Sequence, residues 1–339
     1  MKAAVWYGGK DIRIEDVPVP KIKDDEVLVK VKAVSICGSD LHAYRGLSKR
    51  RVPPLVMGHE FSGEIANMGG KVKNLKEGER VVVEPIVSCG TCRLCRLGRN
   101  NICEKLQLVG LHLSGAFSEY VAVPAKKCYL LPTKVSFEEA ALVEPLAVAV
   151  HAVHLASFEK NEAIAIIGSG AIGLMTLQVA KNSGVGKIVV LDTLDYRLEL
   201  AQKLGATTTI NVTKEDPLQK ILGEGGVDTV FEAVGRQETV QQGLAMARTG
   251  GKVMVIGMLE AIMQLPMLDI TVKELDLQGS YGYTSDDFRQ ALKLIAQGKV
   301  NVKPLITHLL PLDEIKKGFE ILSQGAEDVF KVVLNPYRA

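Results

Sequence analysis

The 339-residue sequence contains no run approaching the ~20 uncharged residues of a membrane span. Charges also stand where a secretory leader would be apolar, in MKAAVWYGGKDIRIED. These absences point to a cytoplasmic protein with an unprocessed N-terminus and no membrane partner. Excess charge of either sign is missing too. The 41 Lys plus Arg against 39 Asp plus Glu leave +2, and the basic residues form no arginine-rich arm, which speaks against a nucleic-acid partner. Neither an internal repeat nor a low-complexity linker is visible. Cysteine is scarce, six in all, and four of the six fall between positions 89 and 103, which suits a metal cage better than a disulfide framework. What remains, 47% hydrophobic and 24% charged, is ordinary globular composition at a length that suggests two domains.

From Ala3 to Pro85 short β-rich runs such as EVLVKVKAVSI and RVVVEP alternate with turn-formers, which predicts an all-β leader. At SFEEAALVEPLAVAVHAVHLA the pattern turns helical, with Ser136 as N-cap and Glu139 as its capping-box partner. Strand-like runs AIAIIG, KIVVLD, TTIN, VDTVFEAVG and GGKVMVIGM then alternate with helical segments, as in a doubly wound parallel sheet. The tail, from LITHLLPLDEI to FKVVLNP, has no place in that sheet and is expected to return to the N-terminal domain.

Gly168-Ser169-Gly170-Ala171-Ile172-Gly173 follows the first apolar strand and opens a helix. Asp192 ends the next strand, nineteen positions after Gly173, near the offset at which an acid meets an adenosine ribose. Its carboxylate would repel a 2′-phosphate, so NAD is expected over NADP. Arg197 either covers the same ribose or is a solvated helix cation. Cys89, Cys92, Cys95 and Cys103 spell C-x2-C-x2-C-x7-C, and four thiolates within fifteen residues close a tetrahedral shell around Zn²⁺ with no open position, a structural site. The alternatives are two disulfides, disfavoured by compartment, and an iron–sulfur cluster, which belongs more to electron-transfer chains.

Three further pieces lie apart in sequence: Cys37-Gly38-Ser39-Asp40-Leu41-His42, Gly58-His59-Glu60 and Glu144-Pro145-Leu146. With the cysteine lobe, the glycine fingerprint and SGAFSEYVAVPA around Phe117, they resemble the zinc-containing medium-chain alcohol and polyol dehydrogenases over essentially the whole chain. The likeness is to the branch of sorbitol, 2,3-butanediol and threonine dehydrogenases, because Glu144 stands where the alcohol dehydrogenase branch supplies a second cysteine.

That resemblance implies an α/β protein: a GroES-like β-rich catalytic domain over residues 1–147 and 287–339, and a doubly wound parallel-sheet Rossmann domain over 148–286 that binds NAD. It implies one structural Zn²⁺ in the cysteine lobe and one catalytic Zn²⁺. Cys37 and His59 bind the latter directly; Glu60 and Glu144 bind directly, through water or in exchange. Ser39 and His42 match the relay that carries a proton outward, and Asp40 fixes the loop or backs His59. The implied reaction takes a secondary alcohol to a ketone, with Zn²⁺ as Lewis acid and hydride passing to the nicotinamide. The substrate is a small-molecule alcohol: a polyol as in sorbitol dehydrogenases, or alternatively 2,3-butanediol, L-threonine or a sugar-alcohol phosphate. Residues near Tyr44, Phe117 and Tyr281 to Tyr283 are expected to distinguish them, and Arg45, Lys49, Arg50 and Arg51 keep the phosphate option open. In relatives the region matching the apolar stretch Leu259 to Gly279 pairs subunits, so a homo-oligomer, tetramer or dimer, is expected. Two other functions compete: a non-catalytic NAD- or zinc-binding regulator, and a zinc-free quinone-type reductase, disfavoured because that class lacks both cysteine lobe and ligand set.

Overall fold

The computed structural model describes residues 1–48, 50–157, 159–325 and 328–338. They divide into two compact units, Met1–Glu144 with Thr284–Gln297 and Val302–Ala339, and Pro145–Tyr283 with Gly298–Asn301. No helix among the described residues is long and apolar enough to cross a membrane.

The first unit is built around the strand Glu26–Ser35. Its branched residues are buried on both faces, so it can sit only at the centre of a sheet. It pairs antiparallel with Glu60–Met68, Tyr120–Pro124 and Lys331–Asn335, within a seven-stranded sheet. A smaller sheet joins Lys2–Gly8 to Asp11–Asp16 and Leu55–Val56. The core contains Val29, Val31, Phe61 and Val332, closed by Phe319, which stacks on Tyr44 at 4.4 Å and meets Phe117 edge-on at 6.2 Å. Tyr44 and Phe117, near which the residues that distinguish substrates are expected, are themselves core residues.

Ladder register builds one corner of this unit. Ser35 pairs with both Glu60 and Val333, so three strand ends converge and bring Cys37, Glu60 and Lys331 together although they are up to 294 positions apart. Inside the expected all-β leader the chain also forms the helix Gly38–Tyr44. It is too short to show a helical period in sequence, and its start is held by the Asp40 carboxylate accepting from the Cys37 N–H at 3.1 Å.

The second unit carries a six-stranded parallel sheet in the order Thr208–Asn211, Lys187–Asp192, Ala163–Ile167, Val227–Glu232, Ala247–Val255, Asp276–Gly279. The strand order reverses direction of growth between Ala163–Ile167 and Val227–Glu232, the switch point at which such sheets bind ligands. The strand-helix alternation expected from sequence is thus present, and a β-rich unit is joined to a doubly wound, Rossmann-type one. The apolar stretch after the fifth strand is not one strand: it holds the helix Met267–Val272, and Asp276–Gly279 completes the sheet edge. At Ser136 the capping box forms as expected, with Glu139 N–H donating to Ser136 Oγ at 3.1 Å and Ser136 N–H to Glu139 Oε2 at 3.1 Å.

Candidate active site and metal centres

In the cysteine lobe the four residues Cys89, Cys92, Cys95 and Cys103 converge, with sulfur separations of 3.5 Å (Cys89 to Cys103), 3.9 Å (Cys89 to Cys95) and 4.0 Å (Cys92 to Cys103). A tetrahedron with Zn–S bonds of about 2.3 Å has edges of about 3.8 Å, whereas a disulfide needs about 2.05 Å. The spacing fits a metal and all four cysteines are free thiols. Backbone N–H groups already solvate the sulfurs: Cys92 donates to Cys89 Sγ at 3.4 Å, and Cys89 and Lys105 each to Cys103 Sγ at 3.3 Å. The Thr91 and Cys92 N–H groups pull the Cys89 thiol down to about 6, toward the thiolate that a metal requires.

The second cluster joins Cys37, His59 and Glu60, whose ligand atoms lie within 4.8 Å of one another. Glu144, at the start of the helix Val143–Ala156, is buried and close enough for its charge to act on Lys331. Asp40, fully buried, stands behind His59, its Oδ1 3.5 Å from His59 Nδ1. That ring nitrogen has no hydrogen-bond partner among the described residues.

Two cations missed in the sequence complete the corner. Lys331 Nζ donates to both oxygens of Glu60, at 2.7 and 2.6 Å, and both residues are buried. Arg51 Nη2 donates to Asp40 Oδ1 at 2.6 Å. Burial works against charge on Asp40 and Lys331, yet pairing wins. Asp40 is held below the usual carboxylate range by His59 and Arg51, and Lys331 is raised by Glu60 and Cys37. Burial would lower His59, but Asp40 and Cys37 lift it well above 6.5, so without metal the ring holds a proton.

The charge count explains why. Cys37, Asp40, Glu60 and Glu144 supply four negative charges when ionised, and Arg51 and Lys331 two positive ones. The remaining two negative charges match one Zn²⁺ with a neutral imidazole, and with a thiolate, imidazole and carboxylate donor set the residues fit that ion.

Of the expected relay, Ser39 is exposed at the first turn of Gly38–Tyr44 and His42, half-buried, lies on the same helix. Ser39 Oγ accepts from Arg51 Nη2 at 3.3 Å. Of the basic loop, Arg51 is buried and Arg45 Nη2 donates to the Ser323 carbonyl at 3.0 Å, while Lys49 lies outside the described residues. His151 is buried and His154 exposed, and they join no candidate metal group among the described residues.

In the second unit the glycine fingerprint turns between the strand Ala163–Ile167 and the helix Ala171–Asn182. Gly168 has φ +93°, a left-handed conformation, and a Cβ on Gly173 would stand 1.8 Å from the Gly168 carbonyl oxygen. Gly170 caps the helix with open space where its Cβ would be, which leaves the helix N-terminus, with Ile172 in its first turn, accessible to a pyrophosphate. Asp192 is tied to the same turn. Its Oδ2 accepts from Ser169 N–H at 2.7 Å and Ser169 Oγ at 3.0 Å, its Oδ1 from the N–H groups of Thr193 and Leu194 at 2.8 and 3.1 Å, and Arg197 Nη1 stands 3.8 Å from Oδ2.

Residues 23–133 match the alcohol dehydrogenase GroES-like domain family and residues 171–297 the zinc-binding dehydrogenase family. The chain is 41% identical over 345 residues to L-threonine 3-dehydrogenase of Bacillus licheniformis, covering 99% of each. It is 39% identical over 348 residues to sorbitol dehydrogenase of Bacillus subtilis, covering 100% of this chain and 98% of that protein. Among solved structures, 2R,3R-butanediol dehydrogenase from Bacillus subtilis superposes with a TM-score of 0.92 at 34% identity, covering 99% of both chains. The chain belongs to the zinc-binding, GroES-like medium-chain alcohol and polyol dehydrogenases. It is an oxidoreductase of the zinc-binding dehydrogenase family, and its particular alcohol substrate is a separate question.

Proposed function

We propose that this dehydrogenase oxidises a secondary alcohol of a polyol, diol or similar small polar molecule to the ketone, with NAD as acceptor. The observation that carries this reading is the corner where Cys37, His59 and Glu60 meet beneath the exposed Ser39, with two negative charges in need of a divalent cation. Cys37, His59 and a carboxylate of Glu60 or Glu144 would hold Zn²⁺, which when bound would supply Lewis acidity at the reacting oxygen, with NAD as the hydride acceptor.

The chain's own residues do the rest. Lys331 holds both oxygens of Glu60 and so makes that carboxylate the exchangeable member of the set, with Glu144 as the alternative. Asp40 orients His59 from behind, as carboxylates do for metal-binding imidazoles. Ser39 takes the substrate proton and His42, on the same helix, carries it outward. In the second unit Gly168, Gly170 and Gly173 would give the pyrophosphate its backbone cradle, and the Asp192 carboxylate would meet the adenosine ribose and disfavour a 2′-phosphate, with Arg197, 3.8 Å from it, covering the same ribose. The cysteine-lobe metal, closed by four thiolates, holds its loop and takes no part in chemistry.

A sugar-alcohol phosphate is a poorer reading, since Arg51 and Arg45 are committed to acceptors of the chain itself. L-Threonine and 2,3-butanediol remain the second reading, favoured by similarity to enzymes of those names. A homo-oligomer is supported by the exposed apolar side chains of Met258, Ile262, Met267, Leu268 and Val272 in the second unit. The test is NADH formation at 340 nm by zinc-replete protein on sorbitol, xylitol, 2,3-butanediol, L-threonine and galactitol 1-phosphate, with NAD and NADP in parallel. Turnover of sorbitol or xylitol with NAD supports the polyol reading. Turnover of L-threonine or the phosphate alone replaces it, and silence on all five with two zinc atoms bound favours a regulatory protein or an untested alcohol.

A further inference from the structure

We infer that Arg51 is a positioning residue that sets the metal-binding histidine and the relay serine with one guanidinium; the inference rests on the function proposed above.

In sequence Arg51 belongs to a basic loop that reads as solvated. In the structure its side chain is only 3% exposed, and its donors are spent on chosen acceptors. Nη2 donates to Asp40 Oδ1 at 2.6 Å and to Ser39 Oγ at 3.3 Å, Nη1 to the Ser39 carbonyl at 2.8 Å, and Nε to the Gly110 carbonyl at 3.3 Å. Asp40 in turn accepts from the Cys37 N–H with its other oxygen, at 3.1 Å, and faces His59 Nδ1 at 3.5 Å with the oxygen that Arg51 holds. One planar cation therefore spans the relay hydroxyl, the carboxylate behind a metal-binding ring, and a carbonyl of a distant loop.

Burying a guanidinium is expensive, and an apolar side chain would pack the space more cheaply. A charge is needed here because Asp40 is wholly buried beside a ring that must stay neutral to bind metal. With Arg51 present, Asp40 has a fixed counter-ion that holds the oxygen facing His59 Nδ1 in place. Without it, Asp40 is buried with no fixed cation, the oxygen behind the ring is free to move, and the Ser39 turn loses its clamp. A fork is needed as well as a charge: a lysine ammonium reaches Asp40 but cannot address the Ser39 and Gly110 acceptors together in one plane.

The test compares Arg51→Met, Arg51→Gln and Arg51→Lys with the wild-type full-length protein, each loaded with zinc. Release of zinc to a chromogenic chelator resolves two phases, and the cobalt(II)-substituted protein reports on the geometry of the catalytic site by its visible spectrum. Arg51→Met should release one zinc ~10–100-fold faster, the range seen when residues behind a metal ligand are removed. The cysteine-lobe phase should stay unchanged, the cobalt d–d bands should shift, and kcat should fall while KM for NAD holds. Arg51→Lys should recover most of the metal retention but less of kcat, because the charge returns without the fork. If Arg51→Met does not fold, Arg51→Gln, which keeps a polar planar head without charge, carries the same comparison.

Unchanged zinc release and an unchanged cobalt spectrum in the folded neutral variant overturn the inference, whatever the activity. Silence of the wild-type protein on every alcohol, together with faster release in the variant, overturns the proposed reaction and leaves the positioning role standing.

Discussion

Replacing Lys331 by methionine removes the cation but keeps the apolar stem that packs in the sheet corner. Glu60, 1% exposed, then faces the interior without its partner. Breaking a buried ion pair from one side costs ~3–5 kcal/mol, and both Glu60 oxygens depend on this one ammonium. The metal-free variant should therefore be less stable than the metal-free wild type by about that amount. With zinc the loss should shrink, because Glu60 is then free to use the metal as its counter-ion. If zinc recovers ~2 kcal/mol of the difference, linkage requires that the variant bind catalytic zinc ~30-fold more tightly, at 1.4 kcal/mol per tenfold. Tighter binding should come with lower kcat, since a permanently bound Glu60 occupies the open position. Urea unfolding with and without zinc, beside chelator competition for the zinc affinity, measures both sides of this balance. An equal loss of stability in the two metal states, or an unchanged zinc affinity, would refute the view that Lys331 withholds Glu60 from the metal.

Other perturbations address the remaining assignments. Cys89→Ser should bring zinc content from two atoms per chain toward one while the catalytic phase of zinc release is unchanged; loss of both phases would mean the two sites are not independent. Glu144→Ala should weaken the catalytic zinc ~10-fold or more and spare the cysteine lobe, as metal analysis after mild dialysis would register. Asp192→Ala should raise the ratio of NADP to NAD activity at least ~10-fold, by removing about 1.4 kcal/mol or more of repulsion toward a 2′-phosphate; an unchanged ratio would remove Asp192 from cofactor selection. The pH dependence follows from His59, whose metal-free pKa is raised well above 6.5. Its protonated form stabilises the metal-free fold fully below 6.5, and that contribution is lost as pH rises through the raised folded value. Zinc must displace that proton, so its affinity should climb with pH through the same window and begin to fall already above 6.5 on acidification. In zinc titrations from pH 5 to 9, an affinity that stays flat across the range would contradict the assignment.

What could be read from the sequence was what neighbouring residues decide among themselves. The cysteine lobe closes within fifteen positions, the glycine turn and its helix follow one another directly, and the Ser136 to Glu139 capping box spans one helical turn, so spacing alone carries their geometry. The alternation of strands and helices between 163 and 279 likewise shows the parallel sheet, because strands buried on both faces need continuous apolar runs. The helix Gly38–Tyr44 escaped notice because seven residues hold too few turns for a period to emerge.

Tertiary structure alone decided which charges are partners. Lys331 is 271 positions from Glu60 and Arg51 is one basic residue in a loop of several, and no local pattern separates a buried cation from a solvated one. Their roles come from the register that aligns Ser35 with both Glu60 and Val333, and from the burial that makes an unpaired charge too costly to keep. The same burial places Tyr44 and Phe117 in the core. Composition and spacing picked out a lobe whose four cysteines converge and a glycine turn that opens a helix. Long-range strand pairing in a low-dielectric interior determined which cations and anions surround the reacting centre.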